Sequence, residues 1–192
     1  MKRLSSFRSV KRNKDGKRPS PVPTHNIVLI ISDKSGSMNI MGDKPFEGVT
    51  KILDEQLNLY KKNQIDTKIR LVLFNEKQYN IIGDDENFGL SINEIKFPES
   101  DDFTCEGTTC LYDTVITNLD IAFKTRNEYL NNLPKKVRIL NPNVQITFIL
   151  ITDGIDNRSQ KYSRSDMHNT IEYGRKHHNM TAFYLGGIKY RA

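Results

Sequence analysis

The sequence predicts an α/β fold, a sandwich with a mostly parallel central sheet and helices on both faces. Three observations carry this. The runs Ile27-Val28-Leu29-Ile30-Ile31 and Ile146-Thr147-Phe148-Ile149-Leu150-Ile151 are apolar almost without a break, as strands buried on both faces read. Stretches with apolar residues at helical spacing alternate with the strand-like runs. The second and third strand-like runs are separated only by the Asn75-Glu76 turn, close enough to pair as an antiparallel hairpin at one edge.

Taken in order, residues 26–32 form the first strand. Val49, Ile52, Leu53, Leu57 and Tyr60 mark an amphipathic helix over 46–62, with Pro45 at its start. Strands follow at 67–74 and 77–82, then a turn-rich stretch over 83–108 without a clear period. Leu111, Val115, Leu119, Ala122 and Phe123 place a helix over 111–124, and the polar residues 128–143, with Pro134 and Pro142, read as a short helix and a loop. A strand at 145–151 precedes Ser163-Arg164-Ser165-Asp166, which has capping-box spacing and opens a helix carrying Met167, Ile171 and Gly174. The last strand is 181–185.

Composition narrows the class. The chain has 192 residues, enough for one core, with two cysteines, too few for a disulfide-stapled scaffold. No apolar run approaches the roughly 20 residues of a membrane span. Residues 1–25 hold eight Lys and Arg against Asp15, a charge of +7 beside +6 for the whole chain, so the remainder is nearly neutral. This basic segment ends in Pro19-Ser20-Pro21-Val22-Pro23 and lacks hydrophobic periodicity, so we read 1–25 as a disordered tail and 26–192 as the domain. The tail is either a solvated, solubilising segment or a contact for nucleic-acid phosphates or an anionic membrane surface. It has no apolar core of a secretory signal, although its Arg/Ser-rich start faintly resembles an organelle transit peptide; the expectation is an intracellular, cytoplasmic protein.

Ligands of open parallel sheets bind at the carboxyl ends of the strands, which directs attention to three loops. Asp33-Lys34-Ser35-Gly36-Ser37 places a carboxylate and two hydroxyls at i, i+2 and i+4, hard oxygen donors of the kind Mg²⁺ or Mn²⁺ takes. The same residues also compose an ordinary Asx turn. Thr152-Asp153-Gly154 brings a carboxylate to the same edge, and Gly107-Thr108-Thr109-Cys110-Leu111-Tyr112-Asp113 brings hydroxyls just before a helix.

These three elements, in this order, resemble the von Willebrand factor type A domain and its metal-ion-dependent adhesion site, DxSxS with a distant Thr and a distant Asp. The resemblance covers residues 26–187. It implies a three-layer, Rossmann-like sandwich with one antiparallel edge strand. It also implies Mg²⁺ or Mn²⁺ held by Asp33, Ser35, Ser37, Thr109 and Asp153, with Thr108 the alternative to Thr109 and Asp153 acting mostly through water. The two Ser hydroxyls would bind the metal directly. The implied function is a non-enzymatic protein–protein interaction module in which a partner's Asp or Glu completes the coordination. Many members of the family continue into another helix after the last strand, and without it one sheet face would be thinner or open to a partner.

Alternatives from other classes are a Mg²⁺-dependent phosphoryl-transfer hydrolase with Asp33 as nucleophile, and a nucleic-acid-associated recruiter acting through the tail. The first is disfavoured by Ser35 standing where dehalogenase-like phosphatases carry a second Asp, and by the absence of P-loop and nucleophile-elbow motifs. Lys34, at the variable loop position, is expected to point to solvent. Cys105 and Cys110 flank the Thr109 loop as free thiols or as a disulfide that locks it. His177-His178 is expected to be a solvated helix end, since adjacent helical residues point about 100° apart and rarely chelate together. His25 and His168 carry no signal. Asp113 suits the first turn of its helix, and Tyr112 is expected to pack.

Overall fold

The computed structural model describes residues 25–186 except 64, 85–87, 140, 141 and 155. The tail expected over residues 1–25 therefore lies, apart from His25, outside the described residues. A six-stranded sheet forms the centre: β1 (His25–Asp33), β2 (Asp66–Phe74), β3 (Gln78–Ile82), β4 (Leu90–Ser91), β5 (Val144–Ile151) and β6 (Met180–Leu185). The order is β3-β2-β1-β5-β6, with β4 also on β2. The β1–β2, β1–β5 and β5–β6 pairs are parallel, whereas β3 and β4 run antiparallel to β2.

Helix α1 (Lys44–Asn63) covers one face, where Val49 and Leu53 pack on Val28, Ile30, Leu71 and Ile149. Helices α2 (Leu111–Asn132) and α4 (Arg164–His177) cover the other, where Val115, Leu119 and Phe123 meet Leu29, Ile31, Phe148 and Leu150. The alternating sides of β1 and β5 feed these two cores, which is why both runs are apolar almost without a break. This is the mostly parallel α/β sandwich, with an antiparallel edge and helices on both faces, that the sequence predicts.

Local differences have long-range causes. Helix α2 continues to Asn132, eight residues past the expected end, because its polar second half has partners across the fold. Arg126 Nε donates to the Val144 carbonyl at 3.1 Å, and Tyr129 stacks on His25 with ring centroids 3.9 Å apart. The short α3 (Lys135–Arg138) follows. Within the turn-rich stretch lie β4 and a 3-10 turn over Ser100–Phe103. The Ser163–Asp166 capping box forms as predicted.

The expectation of a solvated His177-His178 end is corrected for His178. It is buried and stacks on Phe123 at 4.3 Å, while His177 is exposed and tilts against Tyr173. His25, which gives no signal in sequence, is also buried. Burial lowers the pKa of both, against the pull of Asp66 2.9 Å from His25 and with the help of Arg126 beside His178. A histidine whose folded pKa lies below its unfolded value contributes stability that is full above about pH 6.5 and lost as pH falls. Acidification from pH 7.5 to 5.5 is expected to destabilise the wild type more than a His25→Phe/His178→Phe double variant in urea unfolding. Equal slopes would refute this assignment.

Candidate metal centre

The strands β1, β2 and β5 end at one edge, and the candidate residues gather there. Asp33 is the last residue of β1 and is 1% exposed. Its Oδ1 accepts the Ser35 N–H at 2.8 Å, and its Oδ2 accepts the Thr152 hydroxyl at 2.7 Å. Ser35 is buried and Ser37 exposed, with their hydroxyl oxygens 3.2 Å apart. Thr109 is buried, whereas Thr108 is exposed and donates its N–H to Glu76 Oε2 at 3.0 Å. That donation holds the Glu76 carboxyl below the usual range. Both carboxylate oxygens of Asp153 are shielded from solvent. Burial pushes the Asp33 carboxyl up; the N–H and hydroxyl donors oppose this, and the nearby Asp153 charge adds to it.

Backbone bonds hold the loops in place. Gly36 N donates to the Gly107 carbonyl at 3.1 Å, and Glu106 N to the Lys34 carbonyl at 2.9 Å. The amide of Asn75 reaches the Glu106 carbonyl, and the Asn75 carbonyl accepts from Cys110 N. Gly107 has φ 74°, in the left-handed region that favours glycine, and a Cβ there would push the Glu76 carboxylate away from the Thr108 N–H.

The loop after β5 supplies a second clamp that sequence reading missed. Asp156 Oδ1 accepts from Leu111 N at 2.7 Å and Tyr112 N at 3.4 Å, capping α2 from another segment. Asn157 Oδ1 accepts the Thr109 N–H at 2.8 Å, and Asn157 N donates back to the Thr109 carbonyl at 3.1 Å. Asp113 does more than suit its helix dipole: it accepts the N–H groups of Gln160, Lys161 and Tyr162. Burial alone would raise its pKa, but these three donors outweigh it and hold the carboxyl low. The only hint in sequence is the Asp156–Ser159 spacing, which reads as a local turn; here the Ser159 hydroxyl donates to Asp156 at 2.6 Å and orders that carboxylate for α2.

Lys34 departs from the solvent-facing expectation. Its Nζ donates to the Asp102 carbonyl at 3.0 Å and lies 4.7 Å from the centre of the Tyr79 ring. The cation is thereby turned onto a neighbouring wall. Cys105 and Cys110 are free thiols; Cys105 Sγ donates to the Phe103 carbonyl at 3.3 Å, and burial raises the pKa of both.

Among the described residues no group of three or more His, Cys, Asp and Glu side chains is arranged to hold a metal. The Asp33 cluster is of a different composition, two carboxylates with hydroxyls. That all-oxygen set fits Mg²⁺ or Mn²⁺ and lacks the thiolate or imidazole that zinc favours.

No protein-family model and no curated protein sequence matches the chain. Among solved structures it is similar to proximal thread matrix protein 1 of the mussel byssus, with 15% identity and a TM-score of 0.51 over 85% of this chain and 38% of that one. It is also similar to a von Willebrand factor type A protein from Catenulispora acidiphila, with 18% identity and a TM-score of 0.49 over 84% of this chain and 33% of that one. The chain thus spans well under half the length of either protein. The likeness to the mussel protein shows a shared fold. Among the described residues no helix is long and apolar enough to cross a membrane.

Proposed function

We propose that the protein is a non-enzymatic interaction module whose Asp33 cluster holds Mg²⁺ or Mn²⁺ and, with it, an acidic side chain of a partner protein. The observation that carries this reading is the pairing of Asp33 and Asp153, two solvent-shielded carboxylates whose charges oppose one another at the strand ends. Asp33, Ser35, Ser37, Thr109 and Asp153 are the residues that would hold the ion. A bound divalent cation would supply a Lewis-acidic position for a hard anionic oxygen. Two carboxylates balance its charge, and hydroxyls add none. Exposed Ser37 sits on the solvent side of the cluster, where a partner approaches. In this reading the basic segment 1–25 is either a solubilising tail or an accessory contact for nucleic-acid or membrane phosphates, and the protein acts inside the cell.

The test uses Mn²⁺ and short peptides that differ only in a central Glu or Gln. The Glu peptide is expected to displace water from protein-bound Mn²⁺ and lower its relaxation enhancement, while the Gln peptide leaves it unchanged. Equal responses to the two peptides would defeat the carboxylate-capture reading.

A further inference from the structure

On the α2/α4 face, beside the Asp33 cluster, α4 is anchored at its two ends, to α2 at the N-terminal end and to α2 and β6 at the C-terminal end, and leaves a gap to the sheet between them. At its C-terminal end Gly174 allows close contact: a Cβ there would lie 2.7 Å from both Met180 Cε and Phe123 Cζ. At its N-terminal end the Ser163–Asp166 box and the three N–H groups held by Asp113 set the approach. Between these anchors the sheet presents Ala182, a short side chain, and the result is a cavity of about 340 Å³. That volume lies at the lower end of small-molecule sites, which span roughly 300–1,000 Å³.

The lining has a definite chemistry. Phe148 and Leu150 form the sheet side, and Met167 and Ile171 the helix side. Among the described residues the charged groups in the lining are Arg164 and Arg175, with no Asp or Glu. Arg164, Met167, Ile171 and Arg175 follow helical spacing on one face of α4, so both guanidinium groups border the same apolar wall. Arg175 pairs with Glu172 through Nη1 at 2.7 Å, while Arg164 makes no hydrogen bond or ion pair among the described residues. The Tyr184 hydroxyl donates to the Thr152 carbonyl at 3.2 Å and closes the cavity on the side of the carboxylate cluster.

We propose that the cavity between α4 and β6 is a ligand site for an amphipathic organic anion, its apolar body between Phe148, Leu150, Met167 and Ile171 and its carboxylate on Arg164. Charge complementarity selects this occupant: Arg175 is already balanced by Glu172, which leaves Arg164 as the guanidinium at the border of the apolar slot that rewards a single anionic head. The site does not depend on metal at Asp33.

The experiment is calorimetric titration of the full chain, in EDTA, with decanoate and with decanol as the neutral counterpart. The wild type is expected to bind one decanoate, and decanol at least about tenfold more weakly. Arg164→Gln should bring decanoate down to the decanol level. Ala182→Phe fills the cavity from the sheet and Met167→Trp from the helix; either one, if folded by circular dichroism, should abolish binding of both probes. The proposal is overturned if the wild type binds neither probe, if it binds both equally, or if a folded cavity-filling variant binds decanoate as the wild type does.

Discussion

Asp33→Asn is expected to raise the melting temperature in EDTA and to erase the rise that Mg²⁺ or Mn²⁺ produces in the wild type. Burial lifts the Asp33 carboxyl above its ordinary value despite the Ser35 N–H and Thr152 hydroxyl bonds, and Asp153 adds to the lift. A carboxyl raised in the folded state contributes stability below its unfolded pKa and loses it as pH rises through the folded pKa. At neutral pH without a cation the ionised group therefore opposes folding. Asn removes the charge while its oxygen can still accept the Ser35 N–H, now at 2.8 Å from Oδ1. The wild type gains in another way: a cation at about a hundredfold above its dissociation constant adds ~2.7 kcal/mol. For a chain of this size that is roughly 5–10 °C in melting temperature. A variant less stable than the wild type in EDTA, or one that keeps the metal-dependent rise, would contradict the account.

Arg70→Ala is expected to destabilise the protein by about 3–5 kcal/mol in urea unfolding. Arg70 lies inside β2 with no exposed surface. Its Nε donates to Asn118 Oδ1 at 2.9 Å, its Nη2 to Asn80 Oδ1 at 3.0 Å, and its Nη1 to the Asp84 carbonyl. One planar fork thus joins β2 to β3, to the segment after β3 and to α2. Truncation removes three bonds from buried acceptors and leaves a void, so the cost exceeds that of a surface ion pair. Arg70→Lys should recover only part of the loss, because a single ammonium cannot span three acceptors set for a guanidinium. The same elements carry Asn75, Glu76 and the Thr109 loop, so the variant should also weaken metal binding. A loss below about 1 kcal/mol would show that the fork is dispensable.

The readable parts of this fold were those in which neighbours in sequence decide the structure. The apolar runs of β1 and β5, the short Asn75-Glu76 turn and the Ser163 capping box are local signals, and each has its expected structure. The unreadable parts depend on partners far along the chain. The apolar signal of α2 stops at residue 124 and residues 128–143 read as a short helix and a loop, yet Arg126 and Tyr129 bind the starts of β5 and β1 and extend α2. Arg70 carries no signal of its own within the strand 67–74, yet Asn118 and Asn80 meet it inside the fold. His178 looks solvated until Phe123 covers it. The candidate metal centre divides in the same way. Its donors stand at legible loop positions, but the groups that aim them, Thr152, Asp156 and Asn157, act across 44 to 119 residues.

The most direct measurement is Mn²⁺ binding to the purified protein by electron paramagnetic resonance of the free ion, in the wild type, Asp33→Asn, Ser35→Ala and the exposed control His177→Gln. The account predicts one site per chain in the wild type and the control, an affinity at least about a hundredfold lower in Asp33→Asn, and a smaller loss in Ser35→Ala. Absence of Mn²⁺ binding to the folded wild type, or equal binding by Asp33→Asn, would contradict a metal centre at the strand ends.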